Sequence, residues 1–294
     1  YGRPLWFHLE SALEFRYVRM LAEGGRIPRL DAEVQAPEGL APRSAYTLGA
    51  EYVYAAATRR LPGALPLEDR VRWVSAAWFC LGIPLMALWL WWWTGSAWAA
   101  GLAGAYYAVS LASVMRSTGQ ELQHENFALP LLIAHFAFQA LAGRAAAREG
   151  PERPPGPRFW GASVLAALML AGAACTWDLI QFYVLVWAAI GAARFVAGRH
   201  FQDVRARLSW GLTLLALAAA GWLNPYLRAH AFAGSFALWL AYGVTLGLVL
   251  ERLAARRPAA AARPVRRPAV FRLLLLAAAL AAGVLCSGAY GETY

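Results

Sequence analysis

The chain has 294 residues, of which 60% are hydrophobic and 15% are charged, and its mean hydropathy is +0.43. Soluble domains contain about 45–50% apolar and about 25% charged residues, so this composition excludes a single soluble domain and predicts an all-α, polytopic integral membrane protein. The net charge is +10, and all 27 basic residues are arginine. Because these arginines lie between apolar segments, as topology signals do, we do not expect nucleic acid as a partner.

The first 70 residues lack the long apolar runs of a membrane span. The pattern from Leu5 to Leu21 predicts an amphipathic helix, and Gly24-Gly25 is the glycine signal that commonly ends a helix. An irregular loop rich in proline and glycine follows, and residues 43–60 predict a second amphipathic helix. We therefore divide the chain into a loop domain, residues 1–70, and a transmembrane domain, residues 71–294.

Apolar segments follow one another through the rest of the chain. Several of them are near the lower end of the ~17–25 residues that a membrane-spanning helix needs. The run Trp91-Trp92-Trp93 is typical of an aromatic belt at the membrane surface. We predict eight spans, at residues 73–93, 95–114, 126–143, 159–176, 179–197, 208–223, 232–250 and 271–288.

The arginine content of the loops alternates strictly along the chain. Loops 144–158, 194–207 and 252–272 contain 4, 4 and 7 arginines, whereas loops 115–125, 175–178, 224–231 and 289–294 contain only Arg116 and Arg228. By the positive-inside rule the arginine-rich loops are cytoplasmic. The remaining loops and the N-terminal segment are then external. We expect a multi-pass protein of a bacterial or archaeal plasma membrane.

Several acidic residues lie at span ends on the predicted external side. Carboxylates are costly there unless they are paired, hydrated or metal-bound, and hard divalent cations prefer oxygen ligands. The alternative is that they are ordinary loop carboxylates in water. His124 is either a ligand or base, or a solvated loop histidine, and His135, within a span, is expected to be an interior histidine with its hydrogen bonds satisfied. The acidic residues are Glu10, Glu121, Glu125, Asp178 and Glu292.

The stretch from Glu10 to Gly24, ESALEFRYVRMLAEG, resembles the first external loop of the catalytic subunit of oligosaccharyltransferase, a GT-C membrane glycosyltransferase. Glu10 falls on the family's first catalytic Asp, and Arg16 falls on its Arg. The segment 116–127, RSTGQELQHENF, is similar to the family's acidic loop between spans. Glu125 takes its second acidic position, while Gln123 stands where the family has Asp.

Further along, the loop Ala174–Asp178 is similar to the family's small-residue-then-Trp loop, and Glu292 matches the Glu of its T/S-x-x-E motif. The family has one more span before its first loop. The eight predicted spans of this chain then correspond to the second to ninth spans of the family. We therefore expect this chain to be a fragment that lacks the first span and the C-terminal region.

The resemblance implies a GT-C-like bundle of about eight transmembrane helices. It also implies an enzyme that transfers a sugar or oligosaccharide from a polyprenyl-(di)phosphate carrier to a protein or other acceptor. The transfer is expected at the external membrane face. Mg²⁺ or Mn²⁺ is the implied cofactor. Glu10 and Glu125 are the implied catalytic metal ligands, and Glu292 is a further catalytic candidate. Arg16 and Asp178 are implied to bind substrate. Apart from the resemblance, Arg228 is the lone arginine of the predicted external loop 224–231, and we expect it either to contact lipid phosphate or to be an interfacial arginine that reaches to the membrane surface.

Two other classes stay open on the sequence. The first is a transporter or flippase for a lipid-linked sugar or an ion. Such proteins place ionisable residues at mid-membrane and are often built from repeats, whereas the acidic residues here lie at span ends and no sequence repeat is apparent. The second is a non-catalytic membrane scaffold with a GT-C-like fold, which Gln123 in place of Asp favours.

Overall fold

The computed structural model describes residue 7 and residues 10–61, 63–110, 121–150, 153–198, 203–255 and 268–289. Over these residues the secondary structure is helical and contains no strand. The helices are α1 Glu10–Ala22, α2 Pro42–Ala45, α3 Gly49–Thr58, α4 Leu67–Cys80, α5 Gly82–Thr94, α6 Ala97–Val109, α7 His124–Glu149, α8 Pro157–Ala174, α9 Ile180–Val196, α10 Val204–Leu223, α11 Pro225–Ala229, α12 Phe236–Ala255 and α13 Pro268–Ala289.

Six of these helical segments are long and apolar enough to cross a membrane, within the described part of the chain. They coincide with six of the eight predicted spans, and α4 and α5 together, Leu67–Thr94, account for the first. The predicted spans 95–114 and 179–197 correspond to the shorter helices α6 and α9. The protein is thus an α-helical, multi-pass membrane protein, while the count of eight spans stays a prediction.

The chain forms two compact units, Tyr1–Asp178 and Leu179–Tyr294. In the first unit, α1 buries Phe15, Val18 and Leu21 on one face, in the spacing of an amphipathic helix. These side chains pack in one apolar cluster with Tyr54 of α3 and Val71 of α4. The N-terminal helices are therefore packed onto the end of the bundle. The predicted boundary at residue 70 stays a prediction.

The glycine signal after the first helix is confirmed. Gly24 has a φ of +87°, a left-handed conformation that glycine adopts without strain. The N–H group of Gly25 donates to the carbonyl of Met20 at 2.8 Å, which closes the helix. The second predicted helix, residues 43–60, is instead divided into α2 and α3, because the backbone becomes extended at Tyr46.

The first span is broken at Leu81, between α4 and α5. Pro84 explains the break, because proline has no N–H group and its ring clashes with the carbonyl four residues earlier, here that of Cys80. The backbone of α5 then approaches α6 closely. A Cβ atom on Gly82 would lie 2.5 Å from the Tyr107 ring, so a larger residue at this crossing would require the Tyr107 side chain to shift.

Helices α7 and α8 form an antiparallel pair joined by the short connection 150–156. At one end of the pair, Leu131 packs against Gly172. At the other end, the Glu149 carboxylate accepts a hydrogen bond from the Gly156 N–H group at 3.0 Å. His135 is buried, and its Nδ1 atom lies 2.8 Å from the Ala166 carbonyl oxygen. The expectation of an interior histidine with a satisfied hydrogen bond is confirmed.

In the second unit, α9 packs against α12 and α13. Glu251 and Arg272 form an ion pair at 2.6 Å between α12 and α13, and the Arg272 guanidinium lies over the Phe195 ring. Large apolar side chains such as Leu273, Leu274 and Leu285 remain exposed along α13. Such a surface is typical of a helix that faces lipid.

Candidate functional site

The candidate site is a group of ionisable side chains at one end of the first unit, where α1, α3 and α7 meet. His124 Nε2 lies 2.9 Å from Glu51 Oε1 and 3.7 Å from Glu14 Oε1. The side chains of Glu51, Glu14 and His124 are only 2%, 13% and 15% exposed. We call these three residues the His124 cluster. It joins residues from three separate helices in a largely water-excluded place.

Local packing fixes each helix that contributes to the cluster. The Ser11 hydroxyl of α1 accepts from the Leu122 N–H group at 3.0 Å, two residues before His124. The Trp78 indole of α4 donates to the Phe127 carbonyl at 3.0 Å, and its ring stacks on the Phe127 ring at 4.6 Å. The start of α7 is therefore held from two sides.

Helix α3 is positioned by a close contact with the end of α8. A Cβ atom on Gly49 would lie 2.8 Å from the Cys175 carbonyl oxygen and 2.9 Å from the Thr176 methyl group. The hydroxyl of Tyr54, one turn beyond Gly49, donates to the Ser75 hydroxyl of α4 at 3.4 Å. With α3 held in this way, Glu51 is directed at His124.

Negative charge is concentrated around Glu14. Burial raises the pKa of the Glu14 carboxyl well above its usual value, His124 opposes this shift, and the carboxylates of Glu51, Glu125 and Glu10 add to it. These five residues contribute four carboxyl groups and one imidazole. The group as a whole therefore favours binding of a proton or a cation.

The predicted metal ligands belong to this group. Glu10 is exposed at the start of α1, and Glu125 is the second residue of α7, so that both carboxylates act electrostatically on Glu14 between them. Although Glu10 and Glu125 are far apart in sequence, the fold brings them to the same end of the first unit. Their role as catalytic residues and metal ligands stays a prediction.

The other predicted site residues lie in different places. Asp178 is exposed and follows Cys175 and Thr176, which lie after α8 and close to Gly49, so it belongs to the same end of the first unit. Arg228 is exposed on α11 of the second unit. Glu292 and Arg116 lie outside the described residues. Gln123 immediately precedes α7.

Arg16 is engaged in ion pairs within the N-terminal segment. Its Nε and Nη2 atoms donate to the Asp31 carboxylate at 3.0 Å and 3.1 Å, and Nη2 also donates to Glu33 at 2.6 Å. The Arg16 hydrogen bonds hold the pKa of the buried Asp31 carboxyl below its usual range. Arg16 thus anchors the loop that follows α1, and its predicted contact with substrate stays a prediction.

Glu14 and Glu51 were not predicted as site residues. Glu14 follows Glu10 by four residues, and this spacing places both on one face of a helix. Glu51 stands alone in an apolar stretch, where a buried carboxylate requires a partner. The interpretation of His124 as a solvated loop histidine is wrong, because α1 and α3 cover the start of α7.

The carboxylates of the His124 cluster and its neighbours are possible ligands for a divalent cation. Oxygen donors of this kind suit Mg²⁺ and Mn²⁺, and the buried Glu51 Oε2 atom has no hydrogen-bond partner within the part of the chain that the structure describes. Over the same residues, however, no three His, Cys, Asp or Glu side chains are arranged to hold a metal ion. The donor chemistry therefore fits a cation, while a ready-made ligand set is not formed.

No protein-family model matches this chain, and no curated protein matches it. The functional assignment consequently depends on the motifs and on the geometry of the site.

Proposed function

We propose that this protein is a GT-C-type glycosyltransferase, which moves a sugar or oligosaccharide from a polyprenyl-(di)phosphate carrier to an acceptor. The proposal depends on one observation above all. Two short segments that resemble the oligosaccharyltransferase motifs, at Glu10 and at Glu125, lie at the same end of one unit, where His124, next to Glu125, is 3.7 Å from the buried Glu14. The third segment, which ends at Asp178, is at that end too.

The position of the site along the bundle agrees with an external active site. His124 begins α7, and Arg144 lies twenty residues later on the same helix, about 30 Å away at 1.5 Å per residue. Arg144 is the first arginine of the arginine-rich segment 144–158, which was predicted as a loop but begins within α7. The positive-inside rule assigns this segment to the cytoplasm. The His124 cluster and its neighbours then belong to the external side of the membrane.

In this proposal Glu10 and Glu125 are the residues that would hold Mg²⁺ or Mn²⁺, which would supply charge neutralisation for the phosphate leaving group. Glu10, which is exposed, also faces the acceptor and orients it. The ion pair of His124 with Glu51 fixes the start of α7 and therefore the position of Glu125. Glu292, Asp178 and Arg228 are the further residues proposed for contacts with acceptor, donor and lipid phosphate.

The decisive experiment compares Glu125→Gln with Glu121→Gln. Transfer of sugar from a lipid-linked donor and release of polyprenyl phosphate are measured while Mg²⁺ or Mn²⁺ is titrated. Glu125→Gln keeps the size of the side chain but removes its charge, and we expect a loss of at least about 100-fold in transfer. Glu121→Gln, four residues earlier and off the family's acidic position, is expected to lose much less.

Full activity of Glu125→Gln with an unchanged metal requirement would mean that this segment is not the catalytic acidic motif. The resemblance would then support the fold alone. Movement of the lipid-linked sugar across a vesicle membrane without release of polyprenyl phosphate would favour a transporter. Neither movement nor release would favour a scaffold.

A further inference from the structure

A cavity lies in the first unit, between α5 and α7 and away from the His124 cluster. It has a volume of about 490 Å³. Trp89 and Trp93 of α5 line one side, and Phe136, Gln139, Gly143 and Arg144 of α7 line the other. A volume of this size is in the range of small-ligand sites, about 300–1,000 Å³.

The cavity exists because small residues occupy successive turns of α7. Ala140, Gly143 and Ala147 lie on the helix face that lines it. A Cβ atom added at Gly143 would meet nothing within 4 Å. Beside Gly143 the space between α5 and α7 is therefore not filled by a side chain.

The apolar wall of the cavity is made of aromatic rings. The Trp89 ring stacks on the Phe136 ring at a centroid distance of 4.8 Å and on the Trp93 ring at 6.3 Å. Trp93 is 70% exposed, and α5 ends at Thr94, so this wall stands at the end of a membrane span. Tryptophan is the residue that favours the boundary between acyl chains and headgroups.

The polar end of the cavity carries a fixed positive charge. Arg144 Nη1 donates to the Trp91 carbonyl at 3.1 Å, which holds the guanidinium beside the aromatic wall. Arg148 follows one turn later, and loop 144–158 contains four arginines in all. Guanidinium groups bind phosphate through several N–H donors at once.

We propose that this cavity binds an anionic phospholipid, with the phosphate at Arg144 and the upper acyl chain on the Trp89–Phe136 wall. Aromatic rings at headgroup depth and a guanidinium beside them match the two ends of such a lipid. The lipid belongs to the leaflet on the side of the arginine-rich loop. The site is separate from the His124 cluster, and it does not depend on the proposed glycosyltransferase activity.

The test counts lipids that stay bound to the purified full chain in native mass spectrometry. The probes are phosphatidylglycerol, phosphatidylcholine and inorganic phosphate. We expect the parent protein to retain phosphatidylglycerol at least about tenfold more tightly than phosphatidylcholine, a difference of about 1.4 kcal/mol. Arg144→Gln should remove most of this preference. Arg148→Gln, whose arginine does not line the cavity, is the matched control and should keep it.

A second pair of variants tests the volume rather than the charge. Gly143→Leu should fill the cavity and reduce binding of both lipids, while leaving the protein folded because the added side chain enters open space. Gly101→Leu, on α6, also places its Cβ in open space and is the control for a larger side chain at a helical glycine.

Three results would overturn the proposal. The first is phosphatidylglycerol binding by Arg144→Gln and Gly143→Leu that equals the parent's. The second is equal retention of phosphatidylcholine and phosphatidylglycerol by the parent. The third is displacement of the lipid by inorganic phosphate at a similar concentration, which would indicate a simple anion site instead of a lipid site.

Discussion

Ionisation of Glu14 is disfavoured, because the side chain is buried and other carboxyl groups lie near it. Its pKa in the folded protein is well above the ordinary value of 4.5. Between the ordinary pKa and the raised one, the folded state binds more protons than the unfolded state. The free energy of unfolding that Glu14 contributes therefore decreases as the pH rises through this window.

Replacement of Glu14 by glutamine should remove this pH dependence. We expect Glu14→Gln to unfold at a higher temperature than the parent near neutral pH, by about 2–4 °C for each 1 kcal/mol gained in the free energy of unfolding. This difference in unfolding temperature should disappear towards about pH 4.5. Thermal unfolding of the purified protein from about pH 4.5 to about pH 8 measures the effect. Glu23→Gln, at an exposed glutamate just after α1, is the control. Parallel curves for Glu14→Gln and the parent would contradict the prediction.

Asp31 is a buried carboxylate with the opposite behaviour. Its pKa is lowered by the hydrogen bonds from Arg16 and by the backbone N–H group of Glu33. The stability that it contributes is present above the ordinary pKa and is lost as the pH falls through the lowered one.

Asp31→Asn should therefore destabilise the protein at neutral pH by about 1.5–3 kcal/mol, the range for hydrogen bonds to charged groups. Glu33→Gln should cost about 0–1 kcal/mol, because the Glu33 side chain is 76% exposed and water screens its ion pair. A double-mutant cycle of Asp31→Asn with Arg16→Gln, followed by denaturant unfolding, measures the coupling. Additive effects of the two changes would show that the pair is not the source of the stability.

At the scale of helices, the contact between α3 and the end of α8 positions Glu51. The backbone of Gly49 lies so close to Cys175 that any side chain would force the two segments apart. Gly49→Ala should cost about 1–3 kcal/mol, as overpacking does, and should also weaken the proposed transfer activity by displacing Glu51 from His124. Gly101→Ala has open space around its Cβ and should be neutral or stabilising. An unfolding midpoint for Gly49→Ala equal to that of Gly101→Ala would exclude this docking role.

At the scale of the whole molecule, the membrane orientation is the property that the arginine distribution predicts. A reporter fused within residues 144–158 or 252–272 should be cytoplasmic, since these loops contain 4 and 7 arginines. A reporter fused within residues 115–125 should be external. The opposite result for either location would reverse the orientation and would place the candidate site on the cytoplasmic side.

The sequence by itself determined the properties that depend on residues close together in the chain. Apolar length predicted the helical membrane class, and six of the eight predicted spans are helices long and apolar enough to cross a membrane in the described part of the chain. Glycine at positions 24 and 25 predicted the end of α1. The break at Leu81 was missed, although Pro84 is its signal, because the hydropathy of the segment is continuous through it. Local backbone preferences and apolar runs are sufficient for such features.

Only the tertiary structure decided which ionisable groups meet. Glu51 and His124 are 73 residues apart, and their ion pair exists because Gly49 packs on Cys175 while Ser11 and Trp78 hold the start of α7. No periodicity of the sequence encodes these contacts. They depend on close packing between separate helices, and it is this packing that excludes water from Glu14, Glu51 and His124 and makes their charges interact strongly.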